Sequence, residues 1–179
     1  LKMRMVGPMS SKVTDLAQVR ADRGDAARTL LCQVSNVRAE AEVHRQIGFS
    51  DALTLEELHR ILEVCFGLPE ESSPWHFFEH HDARGQRIDP SHTVREFLRR
   101  EGEQIDYAWG LWDFEIVVVE TYPRDGGTPE ALCVGGSGSF QTPFDLTAVN
   151  AELTGQETID EVLDLVAAPI RALIERSRL

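Results

Sequence analysis

The sequence predicts an α+β fold: a mixed sheet with β-grasp (ubiquitin-like) strand order, one central helix and a C-terminal helical extension. Three observations predict it. Short runs of aromatic and β-branched residues alternate as strands do, most densely over residues 107–119. A single strong amphipathic pattern, Leu55–Phe66, lies between the second and third of these runs. A last apolar stripe at helical spacing, from Ile159 to Ile174, closes the chain.

The elements follow in order. Residues 1–28 are polar, have little to bury and read as a loosely attached N-terminal arm. Residues 29–145 carry the α+β domain, and residues 146–179 the helical extension. Residues 30–34 read as a buried strand, and residues 41–49 as a second, alternating at Val43, Arg45 and Ile47. Thr54-x-x-Glu57 is a capping box, in which hydroxyl and carboxylate each satisfy an orphan amide. Leu55, Leu58, Ile61, Leu62, Cys65 and Phe66 follow at helical spacing, and Gly67 with Pro69 ends that helix. Residues 75–81 alternate as a strand, and Ile88 begins a short extended piece. Thr93-x-x-Glu96 caps a short helix that Gly102 ends. Residues 105–109 and 112–121 give two more strands, with Gly110 at the bend. Residues 123–143, with Gly126-Gly127 and Gly135-Gly136-Ser137-Gly138, read as loop. Thr158-x-x-Glu161 caps the final helical region, which Pro169 must break or kink.

Composition narrows the function classes. The net charge is −12 and the pI about 4.9, which argues against non-specific phosphate binding and so against nucleic acid as the main partner. Arg95, Arg99 and Arg100, and Arg171, Arg176 and Arg178, read as solvated helix faces. No apolar run is longer than four residues, as at 116–119, far short of the ~18 residues that suggest a membrane span. The first eight residues include basic ones with no apolar stretch behind them, which is not the pattern of a secretory leader. Cys32, Cys65 and Cys133 stand far apart without a C-x-x-C, as expected in a reducing cytoplasm. Cys32 and Cys65 sit in apolar runs and read as buried; Cys133 lies beside a glycine-rich turn, where it can be exposed.

The densest titratable cluster is His76, Glu79, His80, His81 and Asp82, with His92 nearby. On a strand, His76, Phe78 and His80 share one face. Two histidines at i and i+2 supply two metal ligands, and His59 or His92 would have to bring a third. No further ligand has recognisable spacing, so the simpler reading is a solvated strand end, with no metal and no cofactor. Ser137 lies in neither a nucleophile elbow nor a phosphate-binding loop. Asp113 and Glu115 read as the wet face of a strand whose Trp112, Phe114 and Ile116 face the core. No catalytic residue stands out. His76, His80, Tyr107, Trp109, Trp112 and Cys133 are the candidate ligand or partner surface.

Several segments carry a family resemblance between about residues 30 and 144. His44-Arg45 holds the place of a Trp-Arg pair before the second strand. Leu55 to Gly67 follows the type L-x-x-L-H-x-x-I-x-x-x-F-G. Trp75-His76-Phe77-Phe78 keeps the second histidine and the Phe of an H-x-H-x-F strand. Thr93-Val94-Arg95-Glu96-Phe97-Leu98 meets a T-L-x-D-L helix. Residues 105–116 keep the aromatics, glycine, Trp and Ile of a Y-x-Y-D-F-G-D-x-W-x-H-x-I signature, while Ala108, Leu111 and Phe114 replace its two acids and its histidine. Cys133 and Gly135-Gly136 match the family's closing Cys and Gly stretch. On these segments the chain resembles a divergent member of the Ri-plasmid ORF-3-like family, which includes TnpR-like transposon passenger proteins. The resemblance implies a bacterial, mobile-element-associated, cytoplasmic binding or adaptor domain, non-catalytic and with an unknown protein partner. A homodimer through the C-terminal helices is a further expectation. One alternative is a metal-dependent hydrolase using the histidine cluster at 76–81. A second is a DNA recombination accessory protein.

Overall fold

The computed structural model describes residues 26–37, 40–69, 73–80, 85–124, 127–156, 159–164 and 168–177. Residues 1–25 of the expected arm, and His81 and Asp82 of the histidine cluster, lie outside them. So do Thr158, Val166 and Arg178, together with the side chains of Ile159 and Val162.

Seven strands form one sheet: β1 (Arg28–Asn36), β2 (His44–Ser50), β3 (Trp75–Glu79), β4 (Arg87–Ile88), β5 (Gln104–Trp109), β6 (Trp112–Pro123) and β7 (Ala131–Ser137). Their order is β4-β3-β5-β6-β1-β2-β7, and every pairing is antiparallel. The helices are α1 (Leu55–Phe66), α2 (Leu146–Thr154), α3 (Ile159–Leu163) and α4 (Ala168–Ser177), with a 3-10 turn at Val94–Glu96. The class is α+β. The sheet is not mixed and its order is not ubiquitin-like: β1 runs antiparallel to both β2 and β6, and β7 adds a strand beyond β2. The β5–β6 hairpin turns through Gly110, whose φ of 59° is left-handed, and this brings β6 back antiparallel.

Helix α1 starts at the expected capping box. Thr54 Oγ1 accepts the Glu57 amide at 3.2 Å, and Glu57 Oε1 accepts the Thr54 amide at 2.9 Å. Its Leu55, Leu58, Leu62 and Phe66 are buried on one sheet face, in a core with Cys32, Val34, Ile47, Phe77, Ile105 and Phe114. Alternation sends Leu31, Leu132 and Val134 to the other face, where Leu163, Ile170 and Ile174 cover them. The described part of the C-terminal stripe therefore packs on the chain's own sheet. A homodimer through these helices would have to use their outer sides.

Strand β7 corrects the reading of residues 123–143 as loop, and with it the exposure of Cys133, which is fully buried. The glycines that suggested a loop have a packing cause. A Cβ at Gly136 would sit 2.6 Å from the His44 carbonyl oxygen and 2.7 Å from Arg45 Cδ. Arg45 is 1% exposed and crosses at this point. Its guanidinium donates to the carbonyls of Cys65, His44 and Ser137 at 2.8, 2.8 and 2.9 Å, and its charge lies 3.8 Å from the Phe144 ring centre. Strand β7 is also a sheet edge, and α2 closes it. The Asn150 carboxamide accepts the Cys133 amide at 2.8 Å and donates to the Cys133 carbonyl at 2.7 Å, as a neighbouring strand would.

Candidate functional site

The amphipathic spacing of α1 puts His59 and Glu63 one turn apart on a single side of the helix, and both are buried. Strands β3 and β5 bring aromatic residues beneath them. Trp75 pairs with Trp109, and Phe77 with Tyr107. Alternation then points Tyr107 and Trp109 toward α1. The result is a four-residue polar chain inside an aromatic wall. Tyr107 Oη lies 2.7 Å from His59 Nδ1, His59 Nε2 lies 3.4 Å from Glu63 Oε1, and Trp109 Nε1–H donates to Glu63 Oε2 at 3.3 Å.

The protonation states follow from burial. Desolvation, with a smaller push from Arg60, brings the His59 pKa down to about 4, and Glu56 opposes only weakly. His59 is therefore neutral at pH 7. Burial, and then the nearby Glu63, raise the Tyr107 hydroxyl well above its usual value, so it remains a donor. Tyr107 O–H thus donates to His59 Nδ1, and the Nε2–H tautomer donates to Glu63.

This chain borders an open groove of about 720 Å³ lined by Glu56, His59, Arg60, Glu63, Trp75 and Glu152, among others. Arg60 is held by Glu56 at 2.7 Å. Three carboxylates face one guanidinium, and the histidine is neutral, so the groove is negatively charged. Trp75 is half-buried and lies flat against His59. An aromatic face beside carboxylates suits a cation. Neutral His59, held between a hydroxyl donor and a carboxylate, positions Glu63; its Nδ1 lone pair is already taken.

The six residues singled out in the sequence do not form one surface. Tyr107 and Trp109 meet at the groove, but Tyr107 is 1% exposed and contributes from beneath it. His76 and His80 lie on the opposite sheet face, because β3 alternates. Trp112 is 36% exposed at the hairpin end, not in the core, and leans on Phe140 with centroids 4.8 Å apart. Cys133 is buried on β7, toward the far edge of the sheet. Sequence reasoning weighed His59 only as a metal ligand and passed over Glu63 and Trp75 as site residues. The available signal was their i, i+4 spacing on a face otherwise made of leucines.

No protein-family model matches the chain, and no curated protein matches it. Among solved structures it is similar to the crystal structure of a protein of unknown function, MM3350, from Methanosarcina mazei Go1. The TM-score is 0.54 at 10% identity, over 79% of this chain and 90% of that one. At that identity the likeness is one of fold alone. No helix among the described residues is long and apolar enough to cross a membrane.

Proposed function

We propose that the chain is a non-catalytic binding domain, a divergent member of the ORF-3-like family, whose groove beside α1 receives a basic side chain of a protein partner. The observation that carries this reading is the Glu63 carboxylate. It is 10% exposed and held between His59 and Trp109, next to the half-buried face of Trp75. A carboxylate fixed at that depth strengthens its interaction with an entering cation, and the aromatic face adds a cation–π contact. The family reading is supported by where its motif residues fall. The helix histidine (His59) and the signature aromatics Tyr107 and Trp109 meet in one network, and Arg45, the second residue of β2, is the largest fully buried side chain among the described residues. The family reading brings with it a bacterial, mobile-element-associated protein. Three free, buried cysteines support a reducing cytoplasmic setting. A net charge of −12 supports a basic protein partner over nucleic acid.

The test is a tryptophan-emission titration with an arginine-containing peptide and an acidic control peptide. The basic peptide changes the emission saturably and the acidic one does not. Glu63→Gln weakens the response about tenfold or more, the scale of one charge-assisted contact. Equal responses to both peptides, or an unchanged affinity in Glu63→Gln, would refute the groove.

A further inference from the structure

We propose that the sheet face turned away from α1 holds a divalent transition-metal ion between His80, Asp106 and Glu115. The site is independent of the groove reading. Each residue comes from a different part of the sheet: His80 just past the end of β3, Asp106 from β5 and Glu115 from β6. One ligand atom of each lies within 4.8 Å of the others, and all three are half-buried. Two strands that are distant in sequence thus supply the additional ligands that the histidine cluster lacks along the chain. His76 lies on the same face, two residues back along β3, and is not one of the three.

The spacing suits a metal. Bonds of about 2 Å from zinc to nitrogen and oxygen place tetrahedral ligand atoms roughly 3.3 Å apart. His80 Nδ1 already stands 3.4 Å from both Asp106 carboxylate oxygens. The longer Glu115 side chain closes the remaining distance by rotating.

The electrostatics point the same way. Asp106 and Glu115 are directly opposite each other in the β5–β6 ladder, an arrangement that repels unless something positive lies between them. Among the described residues the Asp106 carboxylate has only the His80 and Gln104 side chains as partners, at 3.4 Å each, and the Glu115 carboxylate makes no hydrogen bond or ion pair. Asp113 adds a third carboxylate to the same face, and with Asp106, Glu115 and Phe78 it lines a depression of about 180 Å³. That space admits the waters that complete a coordination shell. One imidazole with two carboxylates suits zinc or manganese; calcium and magnesium prefer an all-oxygen set.

Isothermal titration of the full, chelator-treated chain with Zn²⁺ tests this, with Mg²⁺ as the comparison. The expected result is one saturable zinc equivalent and no comparable magnesium binding. Asp106→Asn/Glu115→Gln weakens zinc at least about tenfold, since changes in the outer shell alone cost that much. Glu63→Gln, on the other face, leaves zinc affinity unchanged, so loss of the groove and loss of the metal are read separately. Mn²⁺ added to the unaltered chain broadens amide signals of His80, Asp106 and Glu115 first, a readout that needs no variant. Absence of saturable zinc binding overturns the proposal. So does full affinity in the double variant, or broadening centred on other residues.

Discussion

The His59 imidazole lies flat on the Trp75 indole, with ring centroids 3.7 Å apart and planes within 12°. One residue comes from a helix and the other from the start of a strand, so the stack ties α1 to the sheet at the mouth of the groove. Tyr107 and Glu63 engage its two nitrogens, leaving the ring no freedom to turn. The imidazole in this stack is neutral, the form that its burial enforces.

This arrangement makes stability pH-dependent. The His59 pKa is about 4 in the folded chain against an ordinary 6.5 for histidine. Between these values the unfolded chain binds a proton that the folded chain refuses. Stability is therefore full above pH 6.5 and falls as pH drops toward 4, by as much as about 3 kcal/mol from this group. Urea melts at pH 7.5 and 4.5 measure the fall. His59→Phe keeps a ring on Trp75 and removes the titration, so its fall is smaller by that contribution. Equal falls in both proteins would mean that His59 is not held neutral.

Gly136→Ala is expected to cost about 1–3 kcal/mol, the usual scale of overpacking. The backbone φ there is 159°, at the edge of the extended region, and space is the larger objection. The added methyl meets the His44 carbonyl oxygen and Arg45 Cδ. Relieving it displaces a guanidinium that satisfies three carbonyls. Thermal melts of the variant, alone and with Arg45→Ala, separate the two contacts: the costs are less than additive if Arg45 is the one that gives way. An unchanged melting temperature would rule the crowding out.

Leu58→Ala is expected to destabilise by about 2–5 kcal/mol. Leu58 is fully buried between α1 and the sheet, where a cavity would be left. Chemical denaturation checks it, and a loss under about 1 kcal/mol would mean that α1 does not close this core.

Local signals read well in this sequence, and long-range ones did not. Thr54, Glu57 and Gly67 define α1 through contacts within a few residues, and its place over the sheet followed from one apolar face. Six of the seven strands were visible as alternation. The seventh was hidden because Gly135, Gly136 and Gly138 resemble turn residues, and only the close approach of the His44 carbonyl and Arg45 across the ladder explains the glycine near the end of β7. Strand order was out of reach for a related reason: the pairing of β1 with β6 joins residues about 90 apart, with no trace in either segment alone. Sites suffered most. Tyr107 and Trp109 stood out as aromatic residues, yet their partners His59 and Glu63 read as one more helical turn. The acids Asp106 and Glu115 meet His80 only through sheet register.

The C-terminal helices give the last prediction. Ile170 and Ile174 are 3% and 0% exposed, set against Leu31, Leu132 and Val134 of the outer sheet face. Ile174→Asp puts a charge into that apolar layer, and the loss of burial alone is worth about 2 kcal/mol or more. The variant should therefore melt earlier, and its uncovered strands should make it associate on warming, because an exposed apolar patch of this kind is rarely left wet. Light scattering beside the melts separates two uses of these helices. If they cover the chain's own sheet, the unaltered chain keeps its mass on dilution and the variant loses stability. If they instead form a seam between copies, the unaltered chain is a dimer, and Ile174→Asp yields a monomer with an unchanged melt. That second outcome would overturn the packing of α4 on β7.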